Sequence, residues 1–165
     1  MNFTIVPLRC GDGQRNKAIR LRALAADPDA FGSVLAEAQK LSDGIWQQRL
    51  ARTDMATFVA TTADHIDVGL IVGAPYDNEV GLFSMWVAPE VRKGGVGGAL
   101  VDAVIEWARA AGHHQLILDV ADNNRAAVAL YASRGFVPNG KIGMLPPPRE
   151  HITEHQRVLV LGTPS

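Results

Sequence analysis

Arg92-Lys93-Gly94-Gly95-Val96-Gly97-Gly98 is the stretch of this 165-residue chain with the plainest chemical content. Four glycines fall within five positions, behind two cations and ahead of an apolar run. The first N–H groups of a helix lack intrahelical acceptors, and the helix dipole places partial positive charge beside them. No Ser, Thr, Asp or Asn stands at the start of the run to satisfy them. Glycine lets a ligand approach such backbone closely. The stretch therefore reads as a cradle for a phosphate or pyrophosphate. A flexible strand-to-helix turn is the alternative, and four glycines are entropically expensive for that alone.

Two common phosphate loops do not fit. A G-x-x-x-x-G-K-[ST] loop needs a lysine and a hydroxyl after its glycines. Here Ala99-Leu100 follows Gly98, and Lys93 comes before the glycines. A G-x-G-x-x-G dinucleotide fingerprint starts well at Gly95-Val96-Gly97, with Asp119 lying 22 residues beyond Gly97. Leu100 then occupies the third glycine position, and the chain after Asp119 is too short for a second nucleotide-binding half.

Other chemistry-bearing residues stand apart from the glycines. Asp119 lies inside the apolar run "LILDVA", where a carboxylate is costly unless paired or useful. A structural bond to a neighbouring strand or loop is its other reading. Asn124 suits the N-cap of the helix that follows it. "HITEH", His151 to His155, matches H-x-x-E-H, but such histidines share zinc only on a helix. Three prolines before it and the β-branched Ile152-Thr153 argue against a helix, so no metal is expected. Cys10 is the only cysteine, which excludes an intrachain disulfide and suits a reducing compartment. It reads as a small near-surface residue.

These residues need elements to position them. "NFTIV" reads as a strand ended by Pro7. Residues 14–26 place Ile19, Leu21, Leu24 and Ala25 on one helical stripe, and a second helix is expected over 42–52 with Ile45, Trp46 and Leu50 inward. Runs at 57–62, 66–74 and 79–88 form a strand meander with turns at Ala63-Asp64-His65 and Tyr76-Asp77-Asn78. Val96, Leu100, Val104, Trp107, Ala108 and Ala111 recur at helical spacing before Gly112. "QLILDVA" is a central strand, 124–133 a short helix, and "FVPNGKIGML" and "EHQRVLVLG" are two final strands around "PPPREH". The expected fold is a mixed α/β sheet, with a meander leading into a βαβ crossover and helices on its faces.

Composition bounds the function. The chain is 47% hydrophobic and 20% charged with a net charge of −1, which suits one soluble domain over 1–165. That balance argues against generic binding to nucleic acid or an acidic membrane. "MNFTIVPL" does not read as a signal peptide, so none is expected, and no apolar run approaches a membrane span. A cytoplasmic location is expected, and nothing in the sequence speaks against a homodimer.

The glycine stretch also satisfies the Arg/Gln-x-x-Gly-x-Gly/Ala pattern of coenzyme A transferases, through Arg92, Gly95 and Gly97. A second motif, N-x-x-A-x-x-L-Y-x-x-x-G-F, is matched by Asn124, Ala127, Leu130, Tyr131, Gly135 and Phe136. With both motifs correctly spaced, residues 82–137 resemble the GCN5-related N-acetyltransferase (GNAT) superfamily. The resemblance implies that superfamily's fold, a central mostly antiparallel sheet with a βαβ crossover. It implies acetyl-CoA as co-substrate, with pyrophosphate on backbone N–H groups of Arg92, Lys93, Gly94, Gly95, Val96, Gly97 and Gly98. The Arg92 side chain itself is expected in solvent or against the adenosine phosphate. The strand at 82–88 would splay from "LILDV" and offer backbone groups of Met85, Trp86 and Val87 to the pantetheine arm. Strand alternation puts Ser84 and Trp86 on one face and Met85 and Val87 on the other, the latter pair as packing. Asn124 would hold the cofactor near that arm.

The implied reaction is direct attack by a primary amine on the thioester in a ternary complex. Tyr131 matches the tyrosine that protonates the departing sulfur, a plausible general acid, with an aromatic packed in the core as its other reading. The amine must first lose a proton, so a base is required. Asp119 occupies the family's acidic strand position and is first choice, with Glu79 in reserve. A backbone N–H near Val87 would meet the developing oxyanion. The acceptor, a small-molecule or peptide amine, would lie near "DPDAFGSV", Trp46 and "MLPPPREH". Phe31 and Trp46 are candidate pocket walls, although such residues are more often core. A noncatalytic acyl-CoA-binding module on the same fold is the rival, since it would need the glycine loop and no base.

Overall fold

Alternating β-rich runs and their turn residues fold as the expected meander. β1 (Phe3–Pro7), α1 (Gly13–Ala26), α2 (Leu35–Gln39) and α3 (Asp43–Ala51) precede β2 (Ala56–Thr62), β3 (Asp67–Tyr76) and β4 (Glu79–Val87). A 3₁₀ turn at Pro89–Val91 leads into α4 (Val96–Ala110), followed by β5 (Gln115–Ala121), α5 (Arg125–Ser133), β6 (Val137–Met144) and β7 (Thr153–Val160). The structure, a computed structural model, describes residues 2–28 and 35–162.

Among the described residues the strands form one sheet in the order β1-β2-β3-β4-β5-β7-β6. β4 and β5 run parallel across the α4 crossover, and the other five neighbouring pairs are antiparallel. β7 inserts between β5 and β6, so the last hairpin brings "EHQRV" against the central strand. β6 is left at the edge, exposed throughout, with Pro138 where a missing N–H is tolerated.

α4 lies on one face of the sheet. Val96, Leu100, Val101, Val104 and Ala108 are at most 1% exposed, and burying each such Val or Leu is worth about 1.5–3 kcal/mol. β3 meets this helix through glycines. A Cβ on Gly69 would stand 2.9 Å from Leu100 Cδ1, and one on Gly73 would stand 2.4 Å from Trp107 Cζ3. Gly112, with φ +83°, ends the helix as expected. The opposite face takes α1, through Ile19, Ala23 and Leu24. Ala23 replaces the expected Ala25, which is exposed, because Ile19, Ala23 and Leu24 follow the i, i+4, i+5 stripe. The short α2 was not expected; five residues are too few for a periodic signal. Among the described residues no helix is long and apolar enough to cross a membrane.

Candidate active site

A bulge opens the sheet. Val72 faces Phe83 and Leu70 faces Trp86, so Ser84 and Met85 of β4 together oppose Ile71 of β3. Ser84 takes φ +60°, a conformation rare for a side chain with a Cβ. Bulges bend a strand and end its pairing. β4 and β5 accordingly pair only at Val80–Leu116 and Gly81–Ile117, and beyond these they splay as a wedge. The bulge also breaks the expected alternation. Phe83 and Trp86 share a face, and Trp86 is buried beside α1, donating to Asp27 Oδ2 at 2.7 Å under the Arg22 guanidinium. Met85 and Val87 are half-buried. Alternate backbone groups of a strand point to opposite neighbours. The Ala88 N–H bonds Val68 on the β3 side, whereas the Val87 carbonyl points away from β3 and accepts from Arg92 Nε at 3.0 Å.

The glycine turn faces this wedge. Lys93 (φ +68°) and Gly95 (φ +87°) bring the chain sharply into α4. Gly95 is the N-cap, with no side-chain cap bond, and its carbonyl already accepts from Ala99. The Val96, Gly97 and Gly98 N–H groups are therefore the first-turn donors at a positive helix end. The side-chain-free first turn also lets α5 come close. A Cβ on Gly97 would stand 3.1 Å from Leu130 Cδ2, and one on Gly98 would stand 2.2 Å from Arg134 Nη2.

The result is a cavity of about 680 Å³. Met85, Trp86 and Val87 form one wall, Arg92, Lys93 and Gly95–Gly98 another, and Asn124 closes the end. Gly94 is not part of the lining; its Cβ position faces the Val91 carbonyl at 3.2 Å. Arg92 is exposed, in keeping with the solvent expectation, yet its guanidinium is tied down. It ties the Val87 carbonyl to Asp27, 2.7 Å from Nη2, and so fixes the end of β4 against the end of α1. Asn124 caps α5 by accepting from the Ala127 N–H at 3.3 Å, and it also lines the cavity. An elongated anion with an extended amide arm fits these surroundings: open N–H groups at one end, the unpaired edge of β4 along the side.

A second cavity of about 160 Å³ adjoins the first through Met85, Asn124 and Ala127. Asp119, Tyr131, Glu154 and Leu145 line it. Asp119 is exposed on the sheet face, so the cost anticipated for a buried acid does not arise. It is nonetheless held. Tyr76 Oη donates to Asp119 Oδ2 at 2.7 Å, Gln156 Nε2 donates to Tyr76 Oη at 2.6 Å, and Asn139 Nδ2 donates to Gln156 Oε1 at 2.7 Å. The Tyr76 ring reaches β5 by crossing β4 at Gly81, where a Cβ would lie 2.8 Å from Tyr76 Cδ2. Burial and the Asp119 carboxylate push the Tyr76 phenol up to about 12.

Tyr131 is 5% exposed and packs edge-on against Phe136, with ring centroids 5.8 Å apart. Among the described residues its hydroxyl has no hydrogen-bond partner. Burial pushes its phenol up, so it stays protonated at neutral pH. Glu154 is half-buried opposite Ala121, and burial followed by the Asp119 charge raises its carboxyl above the ordinary glutamate value, with Arg149 opposing.

Glu154 is the residue that sequence reading missed. It stands inside "HITEH", where the motif drew attention to the histidines, and its proximity to Asp119 follows from β5–β7 register. That segment enters β7 at Thr153 rather than forming a helix, and His155 pairs with Asp122 at 2.5 Å. Glu79 sits at the start of β4 opposite Tyr76 and lines neither cavity. Trp46 is 1% exposed core rather than a pocket wall, with Arg49 over its ring and its carbonyl taking Asn16 Nδ2. Phe31 lies outside the described residues. Of the expected acceptor segments, Pro28 lines the larger cavity and Leu145 the smaller, and Arg149 Nη1 joins them by donating to the Pro28 carbonyl.

Comparison with known proteins agrees with this geometry. The chain is 31% identical over 103 residues to N-acetyltransferase 8 of Homo sapiens, covering 59% of this chain and 45% of that protein. It is 32% identical over 102 residues to the IAA acetyltransferase of Azospirillum brasilense, covering 58% and 63%. The match thus spans less than two thirds of either relative's own length. The fold matches the ribosomal-protein-S18-alanine N-acetyltransferase of Escherichia coli with a TM-score of 0.72, 22% identity and coverage of 99% of this chain and 97% of that one. It also matches a spermidine N-acetyltransferase of Vibrio cholerae, solved with CoA and spermine, with a TM-score of 0.74, 17% identity and coverage of 96% and 95%. The model of the acetyltransferase (GNAT) family matches residues 21–136, and with that span the chain belongs to this family.

Proposed function

We propose that the protein is an acetyl-CoA-dependent N-acetyltransferase that acts on a primary amine in a ternary complex. The observation that carries this reading is the junction of the two cavities. An uncapped, glycine-lined helix start faces one end of the wedge, and a buried, protonated phenol stands at the other. In this reading the Val96, Gly97 and Gly98 N–H groups hold the pyrophosphate. The free edge of β4 at Met85–Val87 receives the pantetheine amides as an added strand would, with Asn124 at its end. The Val87 N–H, pointing with its carbonyl to the open side, is placed to donate to the developing oxyanion.

Bound acetyl-CoA supplies an activated acyl group, and the residues of the chain manage protons around it. Tyr131 delivers its phenol proton to the leaving sulfur. A carboxylate of the smaller cavity, which Asp119 and Glu154 both line, takes a proton from the amine before attack. The acceptor enters between the loops that carry Pro28 and Leu145.

The test is direct. Purified protein is mixed with acetyl-CoA and a panel of diamines, amino-acid amides, peptides and aminoglycosides, and thiol release is followed. Turnover with at least one amine is expected. Acetyl-CoA binding without turnover on any amine supports a noncatalytic acyl-CoA-binding module instead. Failure to bind acetyl-CoA at all rejects both readings.

A further inference from the structure

Two carboxylates and one phenol face the small cavity, and their surroundings set them different tasks. Asp119 and Glu154 stand on one face of the β5–β7 ladder, because Asp119 pairs with Gln156 and Ala121 pairs with Glu154. Asp119 has a hydrogen-bond donor fixed on one oxygen, Tyr76 Oη. Its other oxygen, Oδ1, has no hydrogen-bond partner among the described residues. Glu154 has no such donor among the described residues. The third group, Tyr131, is a polar side chain buried at 5% exposure whose hydroxyl has no partner among the described residues and which lines the same cavity. A hydroxyl that lines a cavity without a protein partner, beside two acids, marks a place for a polar ligand.

We propose that Glu154 is the proton acceptor for the amine, and that Asp119, held by Tyr76, is the fixed anion that binds the amine as its ammonium. This inference rests on the acetyl-transfer reading and completes it at the acceptor end. Where two titratable groups have surroundings that separate their affinities for protons, the division of labour follows that separation. The Asp119 charge attracts the cation and, after burial, is the second cause that raises the Glu154 carboxyl above its ordinary value. Glu154 is then closer to matching an ammonium than an isolated glutamate is, which suits a general base. The groups around Glu154 are Asp119 from β5, Tyr131 from α5 and Arg149 from the preceding loop, whose charge opposes the rise. His155, next on β7, faces the other way and pairs with Asp122.

The step balances. One ammonium proton passes to Glu154, and the freed nitrogen lone pair forms the C–N bond to the acetyl carbonyl carbon. The C–S bond breaks with its electron pair on sulfur, and Tyr131 gives that sulfur its proton. The surplus proton on the new amide nitrogen restores Tyr131 through water, and Glu154 releases its proton to solvent, the net proton of the reaction. The acceptor chemistry is an alkyl ammonium with no carboxylate beside the nitrogen, because Asp119 and Glu154 would repel one.

Two measurements test this. Carboxyl carbon NMR titration of the ligand-free protein is expected to show one glutamate signal, absent in Glu154→Gln, that titrates above the other glutamates. Asp119→Asn removes the neighbouring charge, so that signal should move to lower pH. A Glu154 signal that titrates with the other glutamates, or that Asp119→Asn leaves in place, overturns the pairing. Thiol release from acetyl-CoA is then followed with spermidine and with alaninamide. Glu154→Gln should lose about 100-fold in kcat together with the acidic limb of the pH–rate profile, at unchanged acetyl-CoA affinity. Asp119→Asn should instead raise the amine KM and shift the acidic limb to lower pH. Wild-type turnover retained by Glu154→Gln, with its acidic limb, overturns this assignment alone. Wild-type protein that releases no thiol with either amine overturns the transfer reading and this step together.

Discussion

The two cavities meet at Met85, Asn124 and Ala127, yet they are built from different materials. The larger is framed by backbone features, a bulged strand edge, a left-handed turn and an uncapped helix start. The smaller is made of side chains from β4, β5, α5 and β7, fixed by strand register and a chain of hydrogen bonds. Backbone geometry tolerates side-chain exchange and is sensitive to changes in φ. The side-chain cavity should behave in the opposite way.

The sharpest test of that contrast is Tyr131→Phe. The ring and its packing on Phe136 stay, and only the unpartnered hydroxyl is lost. Turnover is expected to fall by about 100-fold or more with acetyl-CoA affinity unchanged, read by single-turnover thiol release beside equilibrium binding. Unchanged turnover would leave Tyr131 as core alone.

Gly81→Ala attacks the same cavity from behind. The added Cβ would lie 2.8 Å from Tyr76 Cδ2 and 2.9 Å from Phe83 Cε2, so the two stacked rings must shift. Overpacking of this kind costs about 1–3 kcal/mol, read as a lowered Tm. It should also displace Tyr76 from Asp119 and weaken amine binding. A lowered Tm with amine KM intact would separate the Tyr76 bond from acceptor recognition.

The contrast also explains what the sequence made legible. The turn proposed as the anion cradle lies within seven consecutive residues, Arg92 to Gly98, so local chemistry is enough to single it out. Helix periodicity likewise placed α4 and its apolar face, and the turns placed the meander. The position of β7 between β5 and β6 is a non-local pairing, and Glu154 could be set beside Asp119 only once that pairing was known. Trp86 was put on the wrong footing for a related reason. Simple alternation assumes an unbroken strand, and the bulge at Ser84–Met85 is visible only against β3. The tie from Arg92 to Asp27 was equally out of reach of local reading, because the two stand 65 residues apart.

On the backbone side, Gly95→Val is the informative change. Gly95 sits at φ +87°, and a Cβ added there would meet nothing within 4 Å, so space is not the constraint. A left-handed conformation costs a residue with a Cβ about 1–2 kcal/mol, and a β-branched one is less tolerant still. The turn should relax away from φ > 0, misdirecting the Val96–Gly98 N–H groups. Acetyl-CoA affinity is expected to fall by about 10-fold, the equivalent of that strain, while kcat at saturating acetyl-CoA changes little. A loss confined to kcat would contradict the backbone cradle.

Lys93→Ala should have the smallest effect, and its size is the finer measure of the contrast. Lys93 shares the turn and lines the cavity, but it is exposed and already at φ +68°. Alanine keeps the same backbone requirement, so the first-turn N–H groups stay where they are. What is lost is one solvated charge near the anion, and the Debye length of about 8 Å at physiological ionic strength screens most of it. Acetyl-CoA affinity should therefore weaken a few-fold at low salt and converge with wild type as salt rises. Titrating binding across salt concentrations reads this directly. A large, salt-independent loss would mean that the lysine side chain carries the anion, and the larger cavity would then depend on side chains as the smaller one does.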